Sequence, residues 1–201
     1  MIKNIILMMA MIIIVTAVYG QSDSAGYTPS NQVKHSWEAK QAFEAESLFP
    51  MFVTGGFHAG LGYRYDKIRL RVSVINGGSY DAEPAGTNNS SPDFKRYYKT
   101  SPGLFLGYNI WRNLEAYSFL EFHTFEIEQE SSSLKKDIHS TDFGGGISYQ
   151  FFIGRHIYFQ PGFHIYVRGD NHANFNGSDY HIPNVDLSPV VRIGYRIWSQ
   201  N

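Results

Sequence analysis

The sequence predicts an all-β protein, an antiparallel transmembrane β-barrel of eight strands with short turns at one end and long loops at the other. Three observations carry this. Apolar and polar residues alternate with period two over most of the chain beyond residue 36. Short connections alternate strictly with long polar ones. Aromatic residues, 16% of the chain, gather at the short-turn end of the strands.

The elements follow in order. Residues 1–20 read as a signal peptide: Lys3 supplies the positive region, Ile5 to Val18 is apolar apart from Thr16, and Val18-Tyr19-Gly20 offers a small-residue exit. That run is short for a spanning helix, which needs about 20 residues, so an uncleaved anchor is the lesser alternative. Residues 21–36 are polar, with Gly and Pro, and read as a linker. Residues 37–201 form the barrel domain. There are no cysteines, which excludes disulfides, thiolate metal sites and lipid attachment at Cys. The net charge of −1 gives no field that points to nucleic acid.

The first strand, Trp37 to Glu46, is the weakest. It also fits an amphipathic helix rich in Ala, Glu and Lys, and the even strand number of single-chain barrels favours the strand. Ser47–Phe52 then makes a first outer loop. Val53 to Tyr65 sets Val53, Phe57, Ala59, Leu61, Tyr63 and Tyr65 against Thr54, Gly56, His58, Gly60, Gly62 and Arg64. Ile68, Leu70, Val72 and Val74 oppose Arg69, Arg71 and Ser73. The same split recurs from Gly103 to Ile110, Leu114 to His123, Asp142 to Phe151, Ile157 to Arg168 and Val185 to Ile197. One face is apolar and the other is small, polar or charged.

Asp66-Lys67, Arg112-Asn113 and Ile153–His156 are short turns. Residues 77–100, 129–141 and 170–184 are long and rich in Gly, Ser, Asn, Asp and Pro. This asymmetry fits short periplasmic turns and long extracellular loops, with both termini on the periplasmic side. Tyr63, Tyr65, Trp111, Tyr149, Tyr195 and Trp198 fall near the short-turn end, as do Tyr108, Phe151, Phe152 and Tyr158, and are expected to form a periplasmic aromatic girdle. A soluble lipocalin-like barrel or sandwich alternates in the same way but buries its apolar face. Loop asymmetry and the girdle decide for the membrane form.

The whole chain beyond the signal resembles the small OmpA/OmpX-type eight-stranded outer-membrane barrels, particularly those of Bacteroidota. The stretch VDLSPVVRIGYRIW is the most similar, an alternating last strand with Gly194 and a late aromatic, although Ser199-Gln200-Asn201 follow Trp198 where the family ends on the aromatic. The resemblance implies a Gram-negative outer membrane, contact with its lipid and lipopolysaccharide, and handling by the barrel-assembly machinery. It carries no active residues with it.

The face opposite the apolar one holds Arg64, Arg69, Arg71, Arg168, Arg192 and Arg196 against Glu38, Glu44, Glu46, Glu115, Glu121 and Asp142. Eight strands enclose a space that side chains fill, so these charges are expected to pair as a structural network. The alternative is a narrow gated ion path. Inward glycines, among them Gly60, Gly62, Gly107, Gly144, Gly146 and Gly194, would make room for it. His58, His123 and His164 share the inward parity, but three His on separate strands are a weak metal signal. His139-Ser140 with Asp142 is the one local cluster with hydrolase chemistry, and it lacks a supporting motif. Asp23-Ser24-Ala25 matches a short glycosylation pattern that recurs easily by chance. Tyr80, Phe94, Tyr97 and Tyr98 lie in a loop fit for binding a ligand that the sequence does not name. The expected role is structural or surface interaction, without catalysis or cofactor; a lipid-modifying enzyme and a small pore are the alternatives.

Overall fold

The computed structural model describes residues 39–80, 94–176 and 178–200. The signal and linker segments, Trp37, Glu38 and the Asp23-Ser24-Ala25 pattern lie outside the described residues. Eight strands build the wall: β1 Gln41–Leu48, β2 Gly56–Tyr65, β3 Ile68–Gly77, β4 Ser101–Trp111, β5 Leu114–Gln129, β6 Leu134–Tyr149, β7 Ile157–Arg168 and β8 Val185–Gln200. Each pairs antiparallel with the next, and β8 closes on β1 from Gln41↔Gln200 to Leu48↔Arg192. The outer row Ala45, Leu61, Val72, Leu104, Leu120, Phe143 and Val167 arrives at Val185, ten residues before Tyr195, which faces Ala45 across the closing seam. Such a stagger tilts the strands steeply, by about 35–45° in barrels of this kind.

Which face points in is settled by burial. On β3, Arg69 is 0% exposed and Leu70 is 47% exposed. The same order holds around the wall. Leu61, Leu106, Phe122, Ile147, Ile165 and Ile193 are exposed outside, while Arg64, Arg71, Glu44, Glu115 and Arg192 are buried within. This is the reverse of a soluble barrel, whose apolar face fills the inside.

The first strand is present with shifted bounds, and the connections at the long-loop end carry more structure than the sequence reading expects. β1 starts at Gln41 and continues through Leu48 as strand, and no helix forms over 41–48. The expected loop Ser47–Phe52 is replaced by a one-turn helix, α1 Phe49–Val53, so β2 begins at Gly56 and not at Val53. Pro50 has no N–H for a β ladder and suits the first turn of a helix, which accounts for the switch. The expected long loop 129–141 is mostly strand: β5 and β6 pair without a break from Leu114↔Tyr149 to Gln129↔Leu134, joined by the turn 130–133. Polar composition there marks an exposed hairpin and not irregular backbone.

That hairpin rises above the wall. Strands Ser79–Tyr80 and Phe94–Tyr98 extend its sheet, and Phe94–Tyr98 pairs with β5 from Gln129 to Phe125. The loop after β7 also forms a hairpin, His172–Phe175 with Ser178–His181. Phe94, Phe125, Ile127, Ile138, Ala173, Phe175, Tyr180 and Ile182 bury one another between the two, with Tyr98 at the edge. At the other end, Asp66 and Arg112 take positive φ in two-residue turns.

Candidate functional site

Charged, aromatic and hydroxyl groups converge in the interior, and it is layered. The lowest layer is ionic. Arg69 Nη2 reaches Glu44 at 2.7 Å, Glu46 at 2.8 Å and the Tyr158 hydroxyl at 2.7 Å, and its Nη1 reaches Gln160 at 3.1 Å and Glu115 at 3.5 Å. Arg71 bridges Glu46 at 3.2 Å and Glu115 at 2.9 Å. Arg192 approaches Glu46 at 3.3 Å, Arg196 meets Glu44 at 2.9 Å, and Arg64 donates to Gln150 at 2.6 Å.

Register explains how these groups meet. Arg69 and Arg71 are two apart on β3, so both point inward. Glu44 and Glu46 are two apart on β1. Between them runs β2, whose inward residues at that level are Gly62 and Gly60, opposite Glu44 and Glu46 on one side and Arg71 and Ser73 on the other. A Cβ on Gly62 would stand 3.0 Å from Arg71 Cγ, so the glycine lets the guanidinium cross the strand. Gly107, opposite Arg69, does the same for Glu115, whose carboxyl carbon would be 2.7 Å from a Cβ there.

Above the ionic layer lies an aromatic one. Phe105, Tyr117 and Phe119 pack together, with Tyr166 against them and His164 ringed by all four. The guanidinium of Arg71 stands 5.0 Å from the Phe105 ring and 4.9 Å from the Tyr117 ring, and that of Arg192 at 5.5 and 5.4 Å. Cations on desolvated ring faces are stabilised by the ring quadrupole. The two layers are therefore one packed unit. Higher still, Asp142 pairs with Arg168 at 3.1 Å, Arg168 approaches Asp186 at 3.6 Å, and Glu121 sits 3.3 Å from His123 Nε2. The apolar cap closes over this layer, with the Tyr98 and Phe125 rings against His123.

The interior thus holds Arg64, Arg69, Arg71, Glu115, Glu121, Asp142, Arg168, Arg192 and Arg196, all within 8% exposure. The structure separates the other candidates. Ser140 points inward and its hydroxyl donates to Asp142, but His139 lies on the outer face, 3.2 Å from Thr124 Oγ1. Neighbouring residues on a strand point to opposite faces, so His139, Ser140 and Asp142 do not form one cluster. His58 accepts from the Leu48 amide at 3.1 Å, and His164 from Arg192 at 3.0 Å. Among the described residues no three His, Cys, Asp or Glu groups are arranged to hold a metal.

Of the aromatics near the short-turn end, Tyr63, Tyr65, Trp111, Tyr195 and Trp198 are exposed outside, and Tyr149 is half-buried against Phe151 at 4.6 Å. Tyr158 belongs inside and not among them: it is fully buried and bonded to Arg69 and Glu46. A Cβ on Gly194 would stand 2.0 Å from its ring, so the β8 glycine is the space that the phenol occupies. Tyr158 and Gln160 share the parity of Arg168 on β7, which is the sequence signal that places them inside; nothing in the sequence marked Gln150 as the partner of Arg64. Phe94, expected on a binding loop, is a core residue of the cap, and Tyr98 packs half-buried against it. No known protein-family model and no characterised protein sequence matches the chain.

Proposed function

We propose that this protein is an integral outer-membrane barrel of the OmpA/OmpX type that acts as a scaffold or surface-interaction platform, without catalysis. The observation that supports it is the inverted distribution of polarity. An apolar exterior continuous around the wall far exceeds the few hundred Å² that soluble monomers expose, and a hydrocarbon layer accounts for it. The extent fits. On β5 the outward residues run apolar or small from Leu114 to Phe122, nine residues, and then change to Thr124, Glu126 and Glu128. A spanning strand needs about 9–11 residues when tilted. Beyond Phe122 the outer face is an ionic ladder of Lys99 with Glu126 and Asp137, and of Lys135 with Glu126 and Glu128. The Lys135 ammonium, and after it that of Lys99, hold Glu126 below the usual carboxylate range. Exposed aromatics at the short-turn end supply the interfacial girdle.

In this reading the short turns face the periplasm, the hairpin pair faces outward, and export depends on the N-terminal signal. The layered interior argues against a pore, because guanidinium–carboxylate pairs and rings fill it and the cap covers its outer end. Protein refolded from urea into dilauroyl-phosphatidylcholine vesicles is expected to insert, to resist protease except at its hairpins, and to show no steady single-channel conductance. Failure to insert would reject the membrane reading. Insertion with steady conductance would reject the closed interior and favour the pore.

A further inference from the structure

We propose that His172 and His181 form a surface binding site for a divalent transition-metal ion of the zinc, copper and nickel group. The two residues face each other directly across the hairpin after β7. The flanking pair, Asn171 and Ile182, is hydrogen-bonded, with the Ile182 amide donating to the Asn171 carbonyl at 2.7 Å. Hydrogen-bonded and open pairs alternate along an antiparallel ladder, so His172 and His181 occupy an open pair. There the Cα atoms stand about 4.5 Å apart and side chains approach most closely. Their rings are already stacked, with centroids 5.6 Å apart and planes 26° from parallel. Both side chains are exposed, so they are free to turn their nitrogens onto one ion.

The two imidazoles are the ligands proposed, and a carboxylate lies beside one of them. Asp170 Oδ1 lies 3.8 Å from His172 Nδ1 and is equally exposed. Two imidazoles suit ions of this group better than calcium or magnesium, which take oxygen donors. The carboxylate does not converge with both rings in the present arrangement, so a bound ion keeps water in its remaining positions and exchanges readily.

The hairpin is also held rigid enough to present the pair. Its other face, Ala173, Phe175 and Tyr180, is buried in the cap, Asn171 Nδ2 donates to the Ile182 carbonyl at 3.1 Å, and the Lys136 ammonium donates to the Asn174 carbonyl. The apolar face thus fixes the backbone, and the histidines are the groups it displays.

The test is zinc titration by calorimetry on the full folded chain in detergent micelles, with copper electron paramagnetic resonance as a second reading. Wild type is expected to bind one zinc ion per chain at this site, and copper is expected to show two imidazole nitrogens. His172→Ala and His181→Ala should each weaken zinc binding by at least the ~10–100-fold that loss of an outer-shell partner costs, and each should leave one nitrogen coupling. His139→Ala, on the far face of β6, should change neither. Because both residues are exposed, heat-modifiable migration on gels should show all variants folded. Equal zinc affinity in wild type and both variants, or a copper spectrum unchanged by either substitution, would overturn the site.

Discussion

Arg69 shows how much one side chain carries. It touches three carboxylates and a phenol, and it is fully enclosed. Removing one member of a buried ionic group leaves its partners without compensating charge, which costs about 3–5 kcal/mol. Arg69→Leu is therefore expected to lower stability in vesicles substantially, and a second change, Glu46→Gln, to restore part of it. Its neighbour Leu70 faces outward, and Leu70→Arg is expected to cost about 2–4 kcal/mol if it lies near the bilayer midplane, with no recovery from Glu46→Gln. Urea titration of vesicle-bound protein, read as a double-mutant cycle, separates the two. The coupling should appear for Arg69 with Glu46 and be absent for Leu70 with Glu46; the reverse would mean that the faces are assigned wrongly. Sequence parity alone marked both residues as opposites. It did not reveal that Arg69 is the centre of the network, because that depends on which strands lie two apart around a closed wall and on the glycines between them.

At the scale of elements, the barrel strands after β1 were legible because each has a long period-two pattern, and the short turns because two to four residues separate two such patterns. The upper structure was not. Residues 129–141 and 170–184 are rich in turn-forming and charged residues, yet most of both segments is paired strand. Their apolar members in the cluster, Ile138, Ala173, Phe175, Tyr180 and Ile182, are too sparse to read as strand faces singly, and only their meeting in one cluster gives them a core. β1 was ambiguous for a related reason: with Ala on both faces and Ala, Glu and Lys suited to a helix as well, its state is decided by the edges of β2 and β8 that it joins. The cap makes its own prediction. Phe175 is buried and packs on Phe94 with ring centroids 5.2 Å apart. Phe175→Ala should cost the docked hairpin about 3–5 kcal/mol while sparing the wall below the cap, whose interior packs without it. Limited proteolysis should then cut within residues 170–184 at an increased rate and leave the rest of the barrel protected. Loss of protection throughout would show that the cap and the wall fold as one unit.

For the whole molecule, the same alternation that builds the strands sorts polar from apolar side chains between the two faces of the wall. Charge and aromatic packing fill the inside, apolar residues cover the outside between two boundaries, and polar structure accumulates on one side only. In the proposed membrane reading, an even number of crossings would place all the short turns on one side of the bilayer and both hairpin tips on the other. The cysteine-free chain allows this to be read directly. Single cysteines at Ser132 and Asn176, at the exposed tips, and at Asp66 and Arg155, in the exposed short turns, report the two sides. On intact cells a membrane-impermeant maleimide is expected to label Ser132→Cys and Asn176→Cys, and to label Asp66→Cys and Arg155→Cys only after the outer membrane is breached. Labelling of all four on intact cells, or of none, would contradict a barrel that spans the membrane.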